Sequence, residues 1–348
     1  MKSRFAMVLC TFLLMTPALA GAPDARSKPP AQKLVCENLE RGIFKAEVGN
    51  YLRNGQFDDL ERLAHTLVQD DPRYACGVSK LVDFYAVLEP SDNGGSGGVD
   101  ARVATFTAWE KAKPDSYLPK VGLSKAEEWR AYEARGTKLA REVSPEQWEA
   151  HARHMKLAEK WAEKALAYDP GDPQLFTHMV GLCRGLSCPP ERFAELTASA
   201  LAINPKYDAV YIPMANSLVP RWLGSSDAFV DFAEQAADDN RALGNIVYAR
   251  IATVGLLIEG DKYRATYPRL SWDRILDGLR QIEKRYPDST RTAHLLARFA
   301  YVYEDRAVAR EALLRLKSGW RSDFEYWGKP SAFVKAYRWA LDEDPGPF

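Results

Sequence analysis

Four places in the sequence set a guanidinium beside an indole: Trp129-Arg130, Arg221-Trp222, Trp320-Arg321 and Arg338-Trp339. That pairing suits peptide recognition, because the ring supplies contact area and the arginine fork pairs with carboxylates. A structural use competes with it. Tryptophan fills gaps between helices, arginine bonds the carbonyls at helix ends, and adjacent helical residues do not share a face. Arg130, Arg135, Arg221 and Trp222 are the candidate binding residues, because they fall in the two most distinctive phrases of the chain. These are Trp129-Arg130-Ala131-Tyr132-Glu133-Ala134-Arg135-Gly136 and Leu218-Val219-Pro220-Arg221-Trp222-Leu223-Gly224-Ser225.

The rest of the reactive inventory is thin. Of five histidines, His151 and His154 form the one close pair, with Glu149 beside them. A di-iron carboxylate site needs a Glu three residues before a His, which fails here, so a solvated helix face is expected. No Gly-rich phosphate loop, nucleophile elbow or paired-histidine zinc motif occurs. Serines near His and Asp do not define a triad without a local motif. We therefore assign no catalytic residue, no metal and no cofactor. With 47 Lys+Arg against 47 Asp+Glu, the chain lacks the basic field that nucleic-acid binding requires.

The cysteines carry information about compartment. Lys2 and Arg4 precede an apolar run from Ala6 to Leu14, and Ala18-Leu19-Ala20 ends it with small residues at the two positions a signal peptidase reads. Residues 1–20 read as a bacterial signal peptide and 21–32 as a disordered lead-in, which places the product in the periplasm or outside the cell. No later segment is apolar enough to span a membrane. Cleavage leaves Cys36, Cys76, Cys183 and Cys188, an even count that suggests disulfides in any of three connectivities. Cys183 and Cys188 flank a short turn and pair most easily, leaving Cys36 with Cys76. Metal binding needs paired short spacings, and only one exists.

These residues must be positioned by helices. Phe57, Leu60, Leu63, Ala64, Leu67 and Val68 form a 3.6-residue stripe. Ser144-Pro145-Glu146-Gln147 is a capping box with Pro in the first turn, opening a long helix that ends before Asp169-Pro170. Further helical stretches lie near 174–183, 190–203, 207–219, 226–241, 244–258, 272–285, 290–303, 305–316 and 331–342. Period-two runs rich in β-branched residues are absent, so an all-α fold is expected. Residues 33–346 form one helical-repeat-like domain, with a flexible Gly/Ser loop at 91–98.

Four of the helices share a pattern. Apolar or small residues stand twelve, eight and five positions before a proline: Leu60, Ala64, Leu67 before Pro72; Ala158, Ala162, Ala165 before Pro170; Phe193, Thr197, Ala200 before Pro205; Ile275, Leu279, Ile282 before Pro287. This resembles the second-helix pattern of a tetratricopeptide repeat, and the 35 residues from Pro170 to Pro205 are close to one period. The other gaps are not multiples of it. The expected architecture is an irregular tetratricopeptide-like α-solenoid, or helical-repeat array.

The two phrases above, with Phe229-Val230-Asp231-Phe232-Ala233 and Tyr248-Ala249-Arg250, resemble exported proteobacterial tetratricopeptide-like proteins carrying a helical domain of unknown function. The resemblance runs from about Phe57 to Ala300. It implies a helical-repeat fold in the cell envelope and supplies no activity and no catalytic residues. Two functions follow as expectations. One is a non-catalytic module that binds a protein or peptide partner on a concave face. The other is an envelope hydrolase using carboxylates gathered in a helical cleft.

Overall fold

Serine, aspartate and proline set the helix starts in the computed structural model, which describes residues 37–90, 98–168, 171–222, 224–316 and 324–343. The expected signal peptide at 1–20, the lead-in at 21–32, Cys36, most of the 91–98 loop and Trp320-Arg321 lie outside the described residues. What is described belongs to one unit, Leu34–Phe348. In chain order the helices are α1 (Glu37–Arg53), α2 (Phe57–Asp70), α3 (Lys80–Val87), α4 (Gly98–Ala112), α5 (Leu118–Arg135), α6 (Pro145–Leu166), α7 (Pro173–Leu186) and α8 (Pro190–Ile203). There follow α9 (Tyr211–Leu218), α10 (Ser226–Asp239), α11 (Asn245–Glu259), the single turn α12 (Tyr263–Thr266), α13 (Trp272–Arg285), α14 (Thr290–Val302), α15 (Arg306–Leu316) and α16 (Pro330–Leu341). The fold is all-α. Among the described residues there is no strand, and an isolated bridge pairs Arg73 with Ser79.

The expected capping box is present at α6. Ser144 Oγ accepts from the Gln147 amide, and Gln147 Oε1 accepts from the Ser144 amide, which satisfies two of the amides that a helix start leaves open. Ser79, Ser225, Ser271 and Ser289 cap α3, α10, α13 and α14 with a single bond each, the side-chain oxygen accepting from an amide of the first turn. Asp172 caps α7 with Pro173 at its first position.

Helices that are neighbours in sequence pack together: α5 on α6, α7 on α8, α10 on α11, and α14 on α15, with α11 also against α13. The residues at the twelve, eight and five offsets are buried on α2, α6, α8 and α13, apart from half-buried Thr197. Each leucine or isoleucine there contributes about 1.5–3 kcal/mol by leaving water. Small Ala158, Ala162 and Ala165, all enclosed, let α6 approach its neighbours closely.

A second class of helix is enclosed on nearly every side. Leu118–Glu127 of α5, Pro173–Val180 of α7, Ile246–Leu256 of α11 and Thr292–Ala300 of α14 are buried continuously. Part of their cover comes from the turn between α2 and α3. Arg250 donates to the Cys76 carbonyl at 3.1 Å, and Arg73 donates to the Lys206 carbonyl at 2.9 Å and to Asp208 at 3.2 Å. The Tyr286 ring lies so close to Gly77 that a Cβ there would sit 2.4 Å from it. Gly77 also has φ of +78°, a conformation only glycine adopts without strain.

Apolar residues gather in two clusters, one spanning α1 to α5 with Ala165, Leu175 and Tyr207, the other running from Ala131 near the end of α5 to α16. The α7 helix feeds both. Its cap, Asp172, is fully buried and accepts from the hydroxyls of Tyr85 (2.8 Å) and Tyr117 (2.7 Å) and from the Gln174 amide (2.7 Å). Among the described residues no cation pairs with this carboxylate, and burial raises its pKa above the usual range, against the lowering effect of those hydrogen bonds.

Candidate functional site

The C-terminal ends of α5 and α7 open onto a common cavity of 500 Å³, whose lining includes Tyr132, Arg135, Lys138, Leu139, Trp148, His151, Arg184, Ser187, Arg221 and Trp222. Three of the four binding residues expected from sequence, Arg135, Arg221 and Trp222, therefore meet in one place. Arg130 does not join them. It pairs with Asp100 (2.6 Å) and Glu127 (2.7 Å) on the α4–α5 surface. The reason is helical geometry: five residues of α-helix turn through about 140° relative to the starting direction, so Arg130 and Arg135 face different ways.

Each wall is fixed by local chemistry. The Gln147 side chain that closes the α6 capping box also donates to the Ala134 carbonyl at 3.2 Å, tying the start of α6 to the end of α5. The α7 helix ends at Ser187, in the left-handed region with φ of 55°, and the Cys188 amide donates back to the Cys183 carbonyl at 3.0 Å. The expected Cys183–Cys188 disulfide is present and closes this turn, with Cα atoms 4.9 Å apart. It brackets three residues of the cavity wall, Arg184, Gly185 and Ser187. Gly185 has no Cβ to hold Met155 of α6 away; one would sit 2.5 Å from its terminal carbon. Cys76 is buried and forms no disulfide among the described residues; its expected partner Cys36 lies outside them.

The cations of the cavity are held by rings and carbonyls. Arg135 lies over the Trp148 ring at 5.4 Å and donates through Nη1 to the carbonyls of Gly136 (3.0 Å) and Lys138 (3.3 Å). Arg184 sits between the rings of Tyr132 (5.6 Å) and Trp222 (5.7 Å) and donates through Nε and Nη2 to the Tyr132 hydroxyl. Arg221 donates to the Ile258 carbonyl at 3.2 Å and lies 3.8 Å from Glu259. Among the described residues no aspartate or glutamate lines the cavity, and neither Arg135 nor Arg184 has a carboxylate within ion-pair distance. At its rim, Leu139 is 57% exposed, Trp148 39% and Trp222 52%, large apolar surfaces that solvent alone does not favour.

His151 departs from the expected solvated face. It is buried in the cavity wall with its ring edge-on to Tyr132 and Trp148. Burial, with the nearby Arg135 charge, lowers its pKa, so it is neutral at pH 7. His154 instead meets Glu127 at 2.7 Å, and the two histidines share no ligand position. Among the described residues, no group of three or more His, Cys, Asp or Glu side chains could hold a metal ion.

Sequence reasoning missed Tyr132, Trp148, Arg184 and His151 as site residues. Tyr132 lies inside the first phrase, and Arg184 lies between the paired cysteines. Those two positions were the available signals. A second polar cluster resembles a triad in its atoms alone: Ser124 Oγ lies 2.8 Å from His178 Nε2, and His178 Nδ1 lies 3.8 Å from Glu128. Ser124 is fully buried and gives its proton to the Ala158 carbonyl at 2.7 Å. The hydroxyl is thus neither reachable nor hydrogen-bonded as a nucleophile requires. It joins α5, α6 and α7 within the core.

Replacing Cys183 and Cys188 with serine is expected to cost about 2 kcal/mol, the chain-entropy value for so short a loop. It should also loosen Arg184 and Ser187 against the rest of the wall. Thermal melts of the oxidised protein and the double variant check this, and coincident melts would contradict it.

No helix among the described residues is long and apolar enough to cross a membrane. No family model matches the chain, and no curated protein matches it.

Proposed function

We propose that the chain is an exported, non-catalytic binding module of the bacterial cell envelope, and that the cavity between the ends of α5 and α7 holds its protein or peptide partner. One observation carries the reading: four cationic side chains, with no acidic residue among the described lining, converge with three exposed apolar side chains at a single opening. Arginine and tryptophan in partly desolvated surroundings are the residues that dominate affinity at protein interfaces. Export is supported by the leader-like pattern of residues 1–20 and is consistent with the Cys183–Cys188 bridge. The resemblance to exported tetratricopeptide-like proteins agrees with both.

Affinity capture from periplasmic extract, with wild type and Trp222→Ala as parallel baits, tests the reading. Trp222 is half exposed and its ring lies over Arg184, so its truncation is expected to cost about 1–2 kcal/mol. The expected result is a partner retained by wild type and lost from the variant at a temperature where both remain folded. Equal recovery on both baits would remove the cavity from the binding surface. Turnover of an envelope substrate, abolished by changing one carboxylate, would overturn the non-catalytic reading.

A further inference from the structure

The donors left over in the cavity define what it can take. Arg135 spends both Nη1 protons on backbone carbonyls, and its Nε and Nη2 donate to nothing among the described residues. Arg184 spends Nε and Nη2 on the Tyr132 hydroxyl and keeps Nη1. Both guanidiniums are held in place by ring contacts and have no carboxylate partner among the described residues. An arginine fixed in this way loses little freedom on binding, and its remaining N–H groups match a planar two-oxygen acceptor.

The charge of that acceptor is limited by the elements around it. The cavity faces the C-terminal ends of α5 and α7, which present the negative end of the helix dipole. The start of α6 offers no cradle of open amides, because Ser144 and Gln147 close the capping box. Dianionic phosphate groups favour the opposite arrangement, a helix N-terminus with free amides. A single negative charge suits the site better. The exposed Leu139, Trp148 and Trp222 around the opening call for an apolar body next to it. A volume of 500 Å³ falls within the roughly 300–1,000 Å³ of small-ligand pockets, enough for a short peptide segment and too small for a folded domain.

Resting on the reading of this cavity as the binding site, we infer that it takes one carboxylate carried by an apolar or aromatic peptide segment, received by Arg135 and Arg184. The carboxylate comes either from an acidic side chain or from a chain end; both present the same planar monoanion.

Retention of acetylated peptide pools on the immobilised, oxidised protein tests this. The flanks are randomised over Leu, Phe, Tyr and Trp. One pool has a central Glu and an amidated end, one a central Gln and an amidated end, one a central Gln and a free C-terminal carboxylate, and one a central phosphoserine and an amidated end. Retention of either carboxylate pool about tenfold above the amidated Gln pool is expected, and which pool it is distinguishes side chain from chain end. Arg135→Gln and Arg184→Gln should each remove about that tenfold preference, whereas Arg130→Gln, outside the cavity, should leave it unchanged. Arg135→Lys keeps the charge but not the open Nε–Nη2 fork and should lose most of the preference while folding as wild type. Equal retention of all pools, stronger retention of the phosphoserine pool, or a preference untouched by the arginine changes would overturn the inference. If no pool is retained while Trp222→Ala still loses its captured partner, the carboxylate inference falls and the binding-site reading stands. If Trp222→Ala captures normally as well, both fall.

Discussion

Replacing Asp172 with alanine is expected to cost about 3–5 kcal/mol, the largest effect of any single change considered. The carboxylate is the common acceptor for two buried tyrosine hydroxyls and a backbone amide. Alanine would leave three donors without a partner in a dry interior, at roughly 1–3 kcal/mol each, offset in part because a buried charge is removed. The elements that come apart are α3, which carries Tyr85, the start of α5 beside Tyr117, and the first turn of α7. They join the two apolar clusters. Asp172→Asn keeps one acceptor oxygen, enough for the two tyrosine hydroxyls that share Oδ2, but sets its NH2 against the Gln174 amide, so it should cost less than alanine, about 1–2 kcal/mol. Denaturant melts of both variants check the ordering. Equal losses would show that the charge, and not the set of acceptors, is what matters.

Acid should destabilise the fold through its buried histidines. His294 is fully enclosed, accepts a hydrogen bond from Trp327 Nε1 at 3.1 Å, and has its pKa brought by burial from 6.5 to about 4. His178 is lowered well below its ordinary value, first by burial and then by the Lys125 charge. As pH falls from 6.5, the unfolded chain protonates these rings before the folded one does, so stability falls with it. The contribution is complete above about 6.5 and drains away towards 4; for His294 alone it is about 3 kcal/mol. Glu128 and Asp172 have the opposite sign, since burial raises both and the folded state takes up their protons first. Melting temperatures measured from pH 7 to 4.5 should decline, and His294→Gln should flatten the decline. A profile that is already flat in the wild type would contradict the assignment.

The sequence disclosed helices whose two sides differ. The offsets before Pro72, Pro170, Pro205 and Pro287 are the buried faces of α2, α6, α8 and α13, because a helix with one face in water must write its period in apolar residues. Ser144-Pro145 and Cys183–Cys188 were legible for the same reason: their chemistry is local. The α5 helix gave no such signal. It is buried over Leu118–Glu127 yet contains Lys120, Ser124, Lys125 and Glu127, whose polar atoms are satisfied inside. Lys120 donates to the carbonyls of Pro114 and Ser116, and Lys125 donates to Glu89. A helix enclosed on every side with such partners carries no stripe. The site was half legible. Arg135, Arg221 and Trp222 were singled out, but Arg184 and Trp148 reach them only through the packing of α5, α6 and α7, which no local pattern encodes.

Hydrogen exchange on the protein with and without its captured partner tests the central claim most directly, since it maps the contact without altering a residue. Protection concentrated in 132–151, 184–188 and 219–222 is the result expected if the cavity is the binding site. Protection confined to other surfaces, with those segments exchanging as in the free protein, would contradict it.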